Sequence, residues 1–331
     1  MKKIAAIIVL VLTFFLVPLL GIFWWINSTS PISNDSEKTR FVISKGASAE
    51  TIGKQLEEEN LIKSALAFKI YLQLTDKSKS INSGEFMLSQ DMELKRIVEI
   101  LEQNPSEVWV TIPEGYRREQ IAETVASELE VEDEEEFVKE FLNITKELEG
   151  QLFPDTYLFA PSITPAKVME TLTRNFEKKY KKALDESGGN YDTNQILTMA
   201  SLIERETLKS SERPTVSGIL WKRLDNDWPL QVDASVQYVW GSKRCGGVFD
   251  CEWWEQPTSA QLDVDSPFNT YKTTTLPPAP IANPGYDSIL AAMNPEISEY
   301  WFYLHDSDGK IHYGETVEEH GRNISKYINN N

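Results

Sequence analysis

Gln195 to Glu206, QILTMASLIERE, with Thr207 behind it, is the stretch on which the rest of the chain turns. Ile196, Met199, Ala200, Ile203 and Thr207 recur at helical spacing and form one apolar face. Asp192 and Asn194 stand just before it and can cap its first turn. The stretch reads as an amphipathic helix with Arg205 opposite the apolar face, towards water, and Glu204 and Glu206 on its two borders. A carboxyl group at such a border is partly desolvated. Desolvation disfavours the charged form, raises the pKa and suits proton donation near neutral pH. Two surface glutamates on an ordinary helix would give the same pattern, and periodicity does not separate Glu204 from Glu206.

The chain around this helix has 331 residues, enough for one large domain or two to three small ones. Its apolar and charged fractions, 41% and 25%, are those of a globular protein. A formal charge of -18 without a basic patch argues against nucleic-acid binding. Lys2 and Lys3 precede an uncharged apolar run from Ile4 to Ile26, which as a helix would reach about 30 Å, the thickness of a bilayer core. The run is longer than the apolar core of a cleaved signal peptide and no small-residue cleavage site follows. It reads as an uncleaved anchor, with Trp24 and Trp25 at the outer interface and the lysines holding the N-terminus in the cytoplasm. Asn27 to Thr39 reads as a flexible linker. Beyond it, on the outer side, Cys245 and Cys251 are close enough for a short disulfide loop, with two free thiols as the alternative. No histidine and cysteine spacing makes a metal site.

Short strands and helices alternate from Arg40 to about Pro105: a strand at 41–43, helices at 48–56 and 64–74, a strand at 84–88 and a helix at 93–101. ISKGASAETIGKQL and IPEGYRREQIAETV form a weak internal repeat of strand, glycine turn and helix around Gly46 and Gly115. Helices are also predicted over 168–180, 214–224, 288–293 and 318–327, and a hairpin turns at Asp308-Gly309. No G-x-S-x-G, HExxH, P-loop or GxGxxG motif occurs. What remains is carboxyl, amide and aromatic chemistry after the central helix. That combination fits saccharide recognition.

ILTMASLIERET, ERPTVSGILWKRL, PLQVDASVQY, SPFNTYK and LPPAPIANPG occur in this order, with LFPDTYLF and IPEGYRREQIA upstream. Together they resemble the membrane-anchored endolytic murein transglycosylases, the YceG-like family. The likeness runs from about Phe41 to His320. It implies an α+β extracytoplasmic enzyme on the cell membrane. The parts would be a transmembrane anchor (1–26), a linker (27–39), a LysM-like module (40–110) and a mixed α+β catalytic domain (111–331). The implied reaction cuts peptidoglycan glycan strands between N-acetylmuramic acid and N-acetylglucosamine. It leaves a 1,6-anhydro end, needs neither cofactor nor metal, and limits nascent strands beside the synthases. The resemblance maps the catalytic acid to Glu204. It assigns substrate binding to Gln231, Asp233, Asn269, Tyr271 and Asn283, with Tyr157 a further candidate for which packing is the competing role. Ala279, where the family more often has glycine, and the insertion-like stretch Cys245 to Trp254 are departures. A hydrolytic muramidase and a non-catalytic wall-binding scaffold are the competing readings.

Overall fold

Serine, threonine and aspartate side chains start many of the helices, as their short acceptors satisfy backbone N–H groups that a helix leaves unpaired. The structure is a computed structural model that describes residues 2–103, 105–189, 192–246 and 251–329, without the side chains of residues 2–13 and 15. It divides into two compact units, Met1–Val110 with Leu158–Pro161, and Thr111–Tyr157 with Ser162–Asn331.

The first unit opens with helix α1 (Lys2–Thr29). Strand β1 (Thr39–Ile43) pairs antiparallel with β2 (Gly84–Leu88), Thr39 opposite Leu88 and Ile43 opposite Gly84. Helices α2 (Ala49–Glu58) and α3 (Ala65–Leu74) lie between them in sequence, capped by Ser48 and Ser64. Helix α4 (Leu94–Leu101) follows. Phe41, Phe68, Leu72, Phe86, Ile97 and Leu101 close a core of their own. Strands β3 (Val108–Thr111) and β4 (Thr156–Phe159) form a small sheet. The two glycines of the sequence repeat share one left-handed conformation, φ 79° at Gly46 and 78° at Gly115, which a side chain would strain.

The predicted anchor falls partly outside the described residues, and among those described no helix is long and apolar enough to cross a membrane. The predicted flexible linker differs from what is observed. α1 continues to Thr29, and the following residues are bonded to the unit: Ile32 and Ser33 N–H donate to the Gln90 carbonyl at 3.0 and 3.2 Å.

In the second unit α5 (Arg118–Glu128), α6 (Glu134–Ile144) and the long α7 (Pro165–Ser187) precede the central helix α8 (Thr193–Glu206). Asp192 caps α8 by accepting from Gln195 N–H at 2.8 Å, a contact of the kind worth about 1 kcal/mol. Every residue from 196 to 203 is buried, so α8 is enclosed rather than amphipathic. Helices α9 (Arg213–Asp225), α10 (Asp233–Cys245) and α11 (Tyr286–Met293) pack against it. Full burial of a side chain such as Met199 or Ile203 contributes about 1.5–3 kcal/mol. That face therefore fixes the rotation of α8 and aims its last turn. The antiparallel hairpin β5 (Phe302–His305) and β6 (Ile311–Gly314), with helix α12 (Val317–Tyr327) against it, completes the unit.

Cys245 and Cys251 are joined by a disulfide, their Cα atoms 5.7 Å apart. Near it the Arg117 guanidinium lies between the rings of Tyr238 and Trp253, 4.2 and 4.4 Å from their centroids. Trp253 is thereby tied to the start of α5.

Candidate active site

The last turn of α8 carries Glu204, Arg205 and Glu206 in three different directions. Glu204 points into protein. Its Oε1 accepts from Arg213 Nη2 at 2.7 Å and its Oε2 from Gly285 N–H at 2.9 Å. Arg213 also donates to Glu114 at 3.1 Å and lies 3.6 Å from Asp287. Both members of the pair are nearly dry, with side chains 6% and 8% exposed for Glu204 and Arg213. A Cβ at Gly285 would meet the carboxyl end of the half-exposed Glu114 side chain, which would have to swing aside. Burial raises the Glu204 pKa, with Glu114 adding and Arg213 and the Gly285 N–H opposing.

Arg205 does not face water as its helical position suggests. Its guanidinium lies 3.9 Å from the centroid of a Trp254 ring, and Trp254 Nε1 donates to Gln120 Oε1 at 3.0 Å.

Glu206 points into a cavity of about 450 Å³ lined by Gln231, Asp233, Tyr271, Tyr303, Arg223 and, from α12, His320 and Ile324. Tyr303 hydroxyl donates to Glu206 Oε2 at 2.8 Å. Burial pushes the Glu206 pKa up to about 7, with Asp233 adding and the Tyr303 bond, Arg223 and Arg205 opposing. A carboxyl group poised there can both give and take a proton at neutral pH.

The other cavity residues are set by local structure. Asp233 is the first residue of α10, where the helix dipole favours a carboxylate, and it accepts from Tyr271 hydroxyl. Gln231 holds a left-handed backbone, φ 55°, which costs a non-glycine residue about 1–3 kcal/mol and persists where surroundings impose it. Its N–H donates to Thr270 O at 3.0 Å, which fixes the bend. Arg223 closes the floor, donating to Leu230 O at 2.6 Å and through Nε and Nη2 to Trp301 O at 3.0 and 2.6 Å.

The residues match the YceG-like family over positions 41–326. The chain belongs to the YceG-like family. It is 31% identical over 327 residues to the endolytic murein transglycosylase of Bacillus subtilis (strain 168), spanning 90% of this chain and 87% of that protein. The endolytic murein transglycosylase of Streptococcus pneumoniae serotype 2 is 28% identical over 342 residues, which span 92% of this chain and 61% of that protein. A crystal structure of a YceG-like protein from Listeria monocytogenes superposes with a TM-score of 0.52 at 29% identity, covering 86% of this chain and 99% of that one.

Three of the residues that the family resemblance assigns to substrate, Gln231, Asp233 and Tyr271, share the cavity. Two do not line it. Asn269 is fully buried, its amide donating to Leu262 O and Val264 O at 2.9 and 2.8 Å while its oxygen accepts from Tyr271 N–H at 3.0 Å. Asn283 is fully buried as well. It donates to Tyr116 O and Glu149 Oε1 at 3.0 and 2.7 Å and accepts from Leu152 N–H at 2.9 Å. These two asparagines spend their hydrogen bonds holding loops. Tyr157 likewise packs, its hydroxyl donating to Phe153 O at 2.6 Å.

Glu204 also does not line this cavity; its two oxygens accept from Arg213 and Gly285. Glu206 is there instead, with Tyr303, which sequence reasoning did not single out. The predicted hairpin put Tyr303 on a strand, and nothing in the sequence says which strand residue meets α8. Among the described residues no group of three His, Cys, Asp or Glu side chains could hold a metal ion.

Proposed function

We propose that the chain is an endolytic lytic transglycosylase acting on peptidoglycan glycan strands, with Glu206 as its single acid and base. The observation that carries this reading is the Glu206 carboxyl group, lifted towards neutrality in a cavity that also holds Gln231, Asp233 and Tyr271. Family membership and the murein transglycosylase activity of the Bacillus and Streptococcus relatives support the substrate class.

In this reading Glu206 gives its proton to the glycosidic oxygen as the bond from muramyl C1 to that oxygen breaks. The departing sugar leaves with a hydroxyl group. The muramyl 6-hydroxyl then closes on C1, and the Glu206 carboxylate takes the hydroxyl proton. No water is consumed, and the product ends in a 1,6-anhydro ring. Tyr303 acts through Glu206: its hydrogen bond fixes one carboxylate oxygen and leaves the other for the substrate. Asp233 and Tyr271, paired to each other, and the strained Gln231 offer polar groups to the acetamido and hydroxyl groups of the sugar. Glu204 serves by organising Arg213 and the Gly285 loop around the last turn of α8.

One observation favours a second reading. Asp233 is another carboxylate in the same cavity, and a hydrolytic muramidase uses two. Mass spectrometry of products from uncrosslinked glycan separates the two. Anhydro ends are expected, and reducing ends alone would establish hydrolysis.

The localisation belongs to the same proposal. α1 anchors the chain in the membrane with both compact units outside. Exposed apolar residues from Phe14 to Ile26 support this, Phe14 and Phe23 being 71% and 72% exposed. The β-α-α-β order of β1, α2, α3 and β2 supports a LysM-like glycan-binding module. Wall synthases are the partners such an enzyme would work beside, limiting the strands they make.

A further inference from the structure

The first unit is bonded to the end of α1 rather than hung from it. Trp25 packs against the unit's core. Lys63 Nζ donates to Ser30 Oγ at 2.9 Å, which ties the start of α3 to the end of α1. Ile32 and Ser33 are held at Gln90, and Asp91 N–H donates to Asp35 O at 3.0 Å. α3 itself packs against α1. The surface next to these attachments is therefore held at the level where α1 ends.

That surface is apolar in one place. Leu66 and Leu74 on α3 are 58% and 75% exposed, with the half-buried Ile70 between them. A spacing of four puts the three on one stripe of the helix. Phe68 and Leu72 serve the core, so the stripe adds nothing to the unit's own packing. Lys63 and Lys69 flank it, Lys69 being partnered by Glu50 at 3.1 Å and Lys63 by the neutral Ser30 hydroxyl at 2.9 Å. Cations beside an apolar helix stripe suit an interfacial position on a bilayer with anionic headgroups.

We infer that α3 lies on the membrane surface, with Leu66 and Leu74 set into the boundary between headgroups and acyl chains. The inference rests on the reading of α1 as the anchor. Two contacts with one bilayer, a spanning helix and a surface helix, fix the orientation of the first unit as well as its distance from the lipid. A glycan bound by that unit would then be presented at a set height.

The test uses the full chain with its disulfide intact, reconstituted in vesicles of phosphatidylcholine and phosphatidylglycerol. Leu66→Cys, Leu74→Cys, Leu20→Cys and Glu58→Cys are labelled singly with an environment-sensitive fluorophore. Lipids carrying a nitroxide near the headgroup serve as quenchers. The expected result is blue-shifted, quenched emission at 66 and 74, and water-like emission at 58. Lipid-like emission at 20 with water-like emission at 66 and 74 overturns the inference and leaves the anchor standing. Water-like emission at 20 as well removes both.

Discussion

Replacing Arg213 by Met should destabilise the second unit in a way that depends on pH. Arg213 and Glu204 are almost dry, 8% and 6% exposed, and joined at 2.7 Å. Removing one partner of a buried pair costs about 3–5 kcal/mol, because the remaining charge has lost its counter-ion. The Met stem keeps most of the apolar contacts. Burial already holds the Glu204 pKa above its usual range despite Arg213, so without Arg213 it rises further. For an acid with a raised folded pKa, the penalty is absent below the unfolded value, about 4.3, and grows as pH rises towards the folded one. At pH 8 a loss of about 3 kcal/mol corresponds to a fall in Tm of about 6–12 °C for a unit of this size. The loss should shrink towards pH 4.5. Thermal unfolding followed by circular dichroism at both pH values reads it, and adding Glu204→Gln should recover much of the loss at pH 8. A deficit equal at both pH values and untouched by Glu204→Gln would refute the reasoning.

Other outcomes follow from the same geometry. If protonated Glu206 is the acid, kcat/KM should fall as pH rises through about 7, read by product release from uncrosslinked strands. Tyr303→Phe removes a hydrogen bond that favours the charged carboxylate, so the alkaline limb should move to higher pH and kcat should drop; an unmoved limb would deny Tyr303 its positioning role. Reducing the Cys245–Cys251 disulfide should cost about 2 kcal/mol by loop entropy, seen as a lower Tm with dithiothreitol, without shifting the pH profile.

Local chemistry was readable in the sequence where it acts locally. Ser48 and Asp192 cap helices that begin one residue later, the helices read from 64 and 318 start within one residue of those positions, and the Asp308-Gly309 hairpin turns where its residues allow. Helix α10 was not readable. Residues 229–238 alternate polar and apolar, yet Ser235 and Gln237 are buried beside Val236, because the helix is enclosed on several sides. The same enclosure defeated the amphipathic reading of α8. Glu204 and Glu206 stand on the two borders of its apolar face, equivalent by pattern, and their difference comes from distant residues. Arg213 and Gly285 claim one, Tyr303 the other, and no spacing rule links those positions. Asn269 and Asn283 show the converse. A motif asparagine that holds loops and one that binds sugar read alike until their hydrogen bonds are traced.

The most direct trial compares Glu206→Gln and Glu204→Gln with the parent chain on uncrosslinked glycan, counting anhydro ends by mass spectrometry. Loss of a general acid costs about 100- to 10,000-fold. The account predicts a fall of that size for Glu206→Gln in a folded protein, with Glu204→Gln keeping measurable cutting. Undiminished anhydro product from Glu206→Gln, with none from a folded Glu204→Gln, would contradict it.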